Sequence, residues 1–221
     1  MVTKAIIATD ILPSLESSLR ASAPDIEIVP LAPPGDLPPS AQGAEIFVYS
    51  YALPGSVIPR VVRAVPSLRW IHASNAGVDH LLCKELVESD ITFTNSVGAH
   101  AIPMAETVLA MMLAVVKRLP EHWDAQHARK WQRLAKTELA DKTLGIIGLG
   151  HVGAEVARLG KAFRMRVIGT RRRPAPMEHV DEVLAPDDLA SLLRASDFVA
   201  LTAALTAETR GLIGEAELRR M

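Results

Sequence analysis

Three glycines and a run of three arginines carry the chemistry this sequence is equipped for. Gly148, Gly150 and Gly153 stand at Gly-x-Gly-x-x-Gly spacing within Thr143-Leu-Gly-Ile-Ile-Gly-Leu-Gly-His-Val-Gly153. The apolar run Leu144–Ile147 reads as a fully buried parallel strand, and Val152, Val156, Leu159 and Phe163 recur at helical spacing. A strand, a glycine turn and a helix in that order make a phosphate cradle. Gly148 permits the tight turn, Gly150 lets the backbone approach a pyrophosphate, and Gly153 lets the helix close on the strand. The helix starting at His151 aims its free N–H groups and positive dipole end at the same phosphates. His151 and Val152 occupy the variable part of that loop and join the expected dinucleotide contacts.

The arginines fall at the end of the next strand, Arg166–Gly169. In an NAD site a carboxylate about 20 residues past the glycine turn bonds the ribose 2′-hydroxyl. Arg171 lies 23 positions past Gly148, and Arg172 and Arg173 follow it. A guanidinium holds a 2′-phosphate in a two-pronged grip where a carboxylate would repel it. Thr170 adds a hydroxyl at the same corner. The expected cofactor is therefore NADP, with NAD as the alternative.

A second candidate is the loop Ser74-Asn75-Ala76-Gly77. Small residues there leave backbone N–H groups open before a helix expected over Asp79–Glu88, a geometry suited to a small carboxylate. The same residues also read as an ordinary turn with Asp79 as a helix cap. The seven histidines (His72, His80, His100, His122, His127, His151 and His179) show no metal-ligand spacing and no partner motif. No metal site and no catalytic residue are assigned. Cys83, the single cysteine, excludes an internal disulfide framework and reads as a buried spectator on the Asp79–Glu88 helix; this fits a reducing, cytoplasmic setting.

These residues need a scaffold, and the chain supplies alternating strands and helices. Strands are expected at Lys4–Ala8, Ile26–Pro30, Glu45–Ser50, Leu68–His72 and Ile91–Thr94, with helices at Ser14–Ala21 and Ser56–Ala64 between them. Alternating βα units imply parallel sheets covered by helices on both faces, an α/β class. The stretch Ile102–Lys117 reads as a mostly buried helix through Met104, Val108, Met111, Met112 and Val115. A further amphipathic segment carries Trp123 and Trp131, which suit either a core or a subunit interface. The cofactor unit continues with a helix over Pro186–Arg194, a strand over Asp197–Leu201 and a short helix near Gly214. Three nucleotide-fold strands are thus visible where a complete unit has about six. The 221 residues are 49% hydrophobic and 22% charged with a net charge of −1, a balance that calls for neither nucleic acid nor an anionic membrane. No stretch is long and apolar enough to cross a bilayer.

The motifs together resemble one family. Asn75-Ala-Gly-Val-Asp-His80, Asn95-Ser-Val-Gly-Ala-His-Ala-Ile-Pro-Met-Ala-Glu106, Gly148-Leu-Gly-His-Val-Gly153 and Leu205-Thr-Ala-Glu-Thr-Arg-Gly-Leu-Ile213 occur in the order seen in D-isomer-specific 2-hydroxyacid dehydrogenases, the group of glyoxylate/hydroxypyruvate reductases, phosphoglycerate dehydrogenases and D-lactate dehydrogenases. The resemblance implies two doubly wound domains: a flavodoxin-like substrate domain over 1–97, and a Rossmann cofactor domain over 98–221 lacking its C-terminal part. It places a hinge near Asn95–Gly98. It makes Ser74–Gly77 the carboxylate site and adds Ala203, Ala204, Thr206 and Thr209 to the cofactor contacts. Ala204 stands where the family commonly has proline. The implied activity is hydride transfer between a nicotinamide cofactor and a small 2-hydroxy or 2-keto acid such as glyoxylate or hydroxypyruvate, by a homodimer joined through Ile102–Trp131. The family's catalytic arginine, glutamate and histidine match positions beyond Met221, so the chain alone is expected to be inactive. A non-catalytic, dinucleotide-sensing and dimerising module of the corepressor kind is the competing reading. A methyltransferase is disfavoured by the arginines, because its adenosyl ligand carries no phosphate.

Overall fold

The computed structural model describes residues 2–221, and the chain divides into two compact units, one ending at Val97 and the other starting at Gly98. The first unit contains β1 (Lys4–Ala8), α1 (Leu12–Ser22), β2 (Glu27–Leu31), β3 (Ile46–Tyr49), α2 (Val57–Ala64), β4 (Trp70–Ala73), α3 (Lys84–Val87) and β5 (Thr92–Asn95). Its five strands are all parallel in the order β2-β1-β3-β4-β5. Alternation along the strands decides the packing. Ile6 and Ala8, Phe47 and Tyr49, and Ile71 and Ala73 point to one face and meet Val57, Ile58 and Val61 of α2. Each of the larger of these buried side chains, such as Ile6, Phe47 or Ile71, contributes about 2 kcal/mol. Pro30 sits in β2, an edge strand, where its missing N–H costs no ladder bond.

The second unit contains α4 (Ala101–Val116), α5 (Leu119–His127), β6 (Thr143–Ile147), α6 (His151–Ala162), β7 (Arg166–Thr170), β8 (Glu182–Leu184), α7 (Leu189–Ala195), β9 (Phe198–Leu201) and α8 (Glu215–Leu218). Its sheet is also parallel, in the order β8-β7-β6-β9. The chain runs outward from β6 through β7 to β8 and then crosses back to β9. Strand order therefore reverses between β6 and β9, the place where open α/β sheets bind ligands beyond their carboxyl ends. The α/β reading of the sequence, with parallel sheets, holds, with four strands in this sheet instead of three. The short β8 was not legible because Glu182-Val-Leu184 is too brief to show alternation. A 3₁₀ turn at Pro186–Asp188 precedes α7, so the helix expected from Pro186 begins at Leu189.

Three other expectations are corrected. The helix over Asp79–Glu88 shrinks to Lys84–Val87, because Val78–Cys83 forms turns that drive Leu81 into the core; the N–H of Leu81 donates to Val78 O at 2.9 Å. Cys83 is half-buried at the start of that short helix rather than within a longer one. Helix α4 is not mostly buried. Ala105, Leu109, Met112 and Val116 face the core with α6, while Met104, Met111 (66% exposed) and Val115 (69% exposed) lie on the open side. A helix apolar all round offers two faces, and α6 covers only one. Trp131 lies beyond α5 in irregular chain at 92% exposure, and Trp123 is 62% exposed, so neither fills a core. Among the described residues no helix is long and apolar enough to cross a membrane.

Two carboxylates anchor the amino ends of the central strands. Asp197 accepts from the Thr143 N–H at 2.8 Å and pairs with Lys142, and Asp181 accepts from the Val167 N–H at 2.7 Å and pairs with Lys161. These backbone bonds, reinforced by the lysines, hold both carboxyls below the usual Asp range. Their folded-state values are depressed, so the stabilisation is present above the unfolded value of about 4 and fades as pH falls through the folded one. The Asp197→Ala variant should melt below the parent at neutral pH, and the gap should close on acidification below about pH 4. A melting-temperature gap that persists undiminished in acid contradicts this role.

Candidate functional site

At the switch point of the second sheet, the chain leaves β6 and turns at Gly148 with φ +102°, a left-handed conformation that glycine alone adopts freely. The turn is held from both sides. Thr170 O, at the end of β7, accepts from the N–H of Gly148 at 3.2 Å and of Leu149 at 2.9 Å. From the other side Thr202 Oγ1 donates to Gly148 O at 2.7 Å. A side chain at position 148 would collide with the Ala203 backbone at 2.6 Å, and one at 153 would collide with Gly148 O at 2.3 Å. The first turn of α6 is thereby pressed against the glycine loop.

Gly150 differs. A Cβ placed there meets nothing within 4 Å, so the protein itself does not require glycine at this position. The space opens beside the first turn of α6, where the N–H groups of His151, Val152 and Gly153 have no intrahelical acceptors. The turn thus presents backbone donors and a positive helix end to an open volume, an arrangement that fits a pyrophosphate. His151 is exposed at the first helical position, with its ring close to the Gly98 backbone.

Thr170 is buried at the carboxyl end of β7, and the chain then emerges into solvent through Arg171 and Arg172. Cations of α6 and of the amino end of β7 are paired: Arg158 with Glu155, Lys161 with Asp181 and Arg166 with Glu182. Arg158 holds the Glu155 carboxyl below its ordinary range through their hydrogen bond. Arg171, Arg172 and Arg173 have no ion-pair partner among the described residues. Across the turn, Ala203 and Ala204 follow β9. Thr206 and Thr209 come next, and their hydroxyls are engaged locally: Thr209 Oγ1 donates to Ala204 O at 2.6 Å and accepts from the Thr206 N–H at 2.8 Å. These hydroxyls brace the loop. Ala203 therefore stands against Gly148, while Thr206 and Thr209 shape the chain that follows.

The residues 74–77 lie in the first unit, at the carboxyl ends of β4 and β5. Ser74 N–H donates to Tyr49 O at 3.0 Å, Ser96 N–H to Asn75 O at 3.2 Å, and Asn95 Nδ2 to Ala76 O at 2.6 Å. The Asn75 amide reaches Gly77 O; Asn75 is 2% exposed, and its Oδ1 is buried without a partner. With these carbonyls engaged, the N–H groups of Ala76 and Gly77 have no acceptor among the described residues. The helix-dipole contribution expected at this loop is absent, since α3 starts only at Lys84. Any anion held here rests on the N–H groups alone. The loop and the glycine cradle are each coherent, and each belongs to its own unit.

Sequence reasoning missed two residues that position the sites. Thr202 clamps the glycine turn, and Asn95 holds the Ala76 carbonyl. Their signal was present but weak: each is a small polar residue at the carboxyl end of a strand, where side chains reach the neighbouring βα turn. His122 and His127 stay unassigned; the His127 ring contacts Trp123 O within its own helix, and no metal-binding cluster exists among the described residues.

Known proteins share this fold. Residues 109–221 match the family model for the NAD binding domain of D-isomer specific 2-hydroxyacid dehydrogenases. The chain is 36% identical over 168 residues to a glyoxylate reductase of Aeropyrum pernix, an alignment covering 71% of this chain and 49% of that one. It is 32% identical over 164 residues to a D-3-phosphoglycerate dehydrogenase of Methanocaldococcus jannaschii, covering 73% of this chain and 31% of that one. Among solved structures it is similar to the NADPH-dependent glyoxylate/hydroxypyruvate reductase of Sinorhizobium meliloti in complex with NADP and sulfate, with a TM-score of 0.80, 25% identity, and coverage of 99% of this chain and 68% of that one. The chain spans from a third to a half of the length of these two curated relatives. A parallel sheet reversing at a glycine turn and a family match running through that turn lead to one conclusion: this chain belongs to the D-isomer-specific 2-hydroxyacid dehydrogenases and carries their NAD(P)-binding Rossmann fold.

Proposed function

We propose that this chain serves an NADP(H)-preferring oxidoreductase that interconverts a small 2-keto acid, such as glyoxylate or hydroxypyruvate, and its 2-hydroxy acid. The observation that carries this reading is the unpaired arginine run at the end of β7 beside the glycine cradle. Gly148, Gly150, His151, Val152 and Gly153 hold the pyrophosphate. Thr170, Arg171 and Arg172 take the adenosine ribose and its 2′-phosphate. Ala203, Ala204, Thr206 and Thr209 wall the far side of the dinucleotide. When bound, the nicotinamide supplies or accepts a hydride at C4. The Ala76 and Gly77 N–H groups, with Ser74 and Asn75, orient the substrate carboxylate. No residue of the chain is assigned as proton donor. Hydride transfer requires carbonyl polarisation and proton delivery, and neither role is assigned to a described residue.

The open apolar side of α4 supports a homodimer. Met111, Val115, Trp123 and Trp131 expose more aromatic and aliphatic surface than scattered single residues would. The region Ile102–Trp131 is the contact between copies.

Calorimetry should find NADPH bound more than tenfold tighter than NADH, a difference of at least about 1.4 kcal/mol. Arg171→Asp should erase that preference, and equal affinities in the parent chain would end the NADP reading. Gly150→Val separates the protein's needs from the ligand's. Its melting temperature should stay near the parent value because the side chain meets open space, while NADPH affinity falls at least tenfold. Unchanged affinity in that variant removes the pyrophosphate from this position. Met111→Glu should convert a sedimenting α4-linked dimer to a smaller species with an unchanged circular dichroism spectrum; no change in mass would reject the α4 contact.

A further inference from the structure

The face of the first sheet opposite α2 carries a chain of polar side chains that the proposed chemistry leaves unused. Alternation along β4 sends Ile71 and Ala73 into the core and puts Trp70 and His72 on the other face. The register of β5 sets Thr94 opposite His72. Trp70 Nε1 donates to Thr94 Oγ1 at 2.8 Å, and His72 Nδ1 lies 2.9 Å from the same oxygen. The other ring nitrogen, His72 Nε2, lies 3.2 Å from Ser96 Oγ, which donates to Ala73 O at 3.4 Å.

The indole N–H sets the direction of every bond in this chain, because it can only donate. Thr94 Oγ1 accepts from Trp70, and its own hydrogen goes to His72 Nδ1. The ring proton therefore sits on Nε2 and is donated to Ser96 Oγ. The opposite neutral tautomer is worse on two counts. It leaves the Thr94 hydrogen without an acceptor among the described residues, and it turns the Ser96 hydrogen away from Ala73 O.

The chain of bonds ends at the loop after β4. Asn95 is the last β5 residue in register, opposite Ala73, so Ser96 lies just past the paired strand. His72 grips the hydroxyl of Ser96, the residue whose own N–H donates to Asn75 O at 3.2 Å. Asn95 Nδ2 holds Ala76 O beside it. The carbonyls of residues 75 and 76 are thus tied to the end of β5, and the N–H groups of Ala76 and Gly77 are left for a ligand. We propose that His72, in the tautomer protonated at Nε2, is a positioning residue for the Asn75–Gly77 loop: through Ser96 it holds the loop in the shape that binds a carboxylate. Its ring does not touch the ligand. The carboxylate part rests on the substrate reading above; the tautomer and the grip on Ser96 do not.

Nuclear magnetic resonance of the labelled 221-residue chain, with two variants of His72, tests the proposal. At mildly alkaline pH the ring nitrogens of parent His72 should show the proton on Nε2. His72→Gln keeps an amide N–H near the Nε2 position, whereas His72→Asn reaches only as far as Nδ1 and releases Ser96. In His72→Gln, exchange of the Ser96 amide and the glyoxylate-induced shifts at the Ala76 and Gly77 amides should stay near the parent values. In His72→Asn, Ser96 exchange should quicken and glyoxylate affinity should fall about fivefold, the worth of one hydrogen bond, with an unchanged circular dichroism spectrum. Ser96→Ala should lower the affinity by the same factor, and His72→Asn added to it should lower it no further. A proton on Nδ1 in the parent overturns the proposal, a result that needs no variant to fold. So does a His72→Asn chain that matches the parent, or a His72→Gln chain as impaired as His72→Asn. Glyoxylate that leaves the parent Ala76 and Gly77 amides unmoved overturns the substrate reading of the loop and the carboxylate part with it, while Ser96 exchange in the two variants still decides the grip.

Discussion

The second unit depends on one small hydrogen-bonded knot at Gly148. Its peptide is gripped by the Thr170 carbonyl from β7 and the Thr202 hydroxyl just past β9, while the Ala203 backbone and Gly153 close on it without room for a side chain. Parallel strands fix their neighbours' positions only to within the sheet's own twist and slide. The knot ties β6, β7, β9 and the start of α6 together at their carboxyl ends, where the sheet order reverses. It determines where the helix N-terminus points, and therefore where an anion is stabilised. A helix end contributes about 0.3–1 kcal/mol toward a nearby negative charge when exposed. In the proposed reading, specificity for a dinucleotide comes from adding backbone donors and a guanidinium corner to that modest field.

The same economy explains the contrast between paired and unpaired cations. On α6 and the amino end of β7 the basic side chains are spent on Glu155, Asp181 and Glu182, pairs that are partly exposed and individually weak. At the carboxyl end of β7 the arginines have no such partner. The strands differ at their two ends: Asp181 and Asp197 hold the amino ends by accepting strand N–H bonds, and the arginines without ion-pair partners follow the carboxyl end of β7.

Much of this was legible in the chain because its signals were local and strong. The buried run Leu144–Ile147, the glycine spacing and the α6 periodicity specify one another, and alternating βα units made both sheets parallel. What failed did so for tertiary reasons. Val78, Leu81, Leu86 and Val87 look helical by composition, yet burying Leu81 and Leu86 is met by turns and a single helical turn. Met111 and Val115 look like core because their helix is apolar all round; only the position of α6 decides which stripe is covered. Trp131 looked helical by proximity to Trp123, but α5 ends at His127. Of the candidate site, the glycines and arginines were visible as types at a spacing. Thr202 and Asn95 were not, because their roles exist only once strands distant in sequence lie side by side.

In the proposed site, backbone amides at the start of α6 and the arginines after β7 hold one ligand together. Heteronuclear NMR of the isotope-labelled chain during NADPH titration reads this directly. The largest shifts should fall on the amides of Gly150, His151, Val152 and Gly153 and on the Nε–H signals of Arg171 and Arg172, saturating together at one ligand per chain. Shifts confined to other segments, or arginine and glycine-loop signals that saturate at different ligand concentrations, would contradict it.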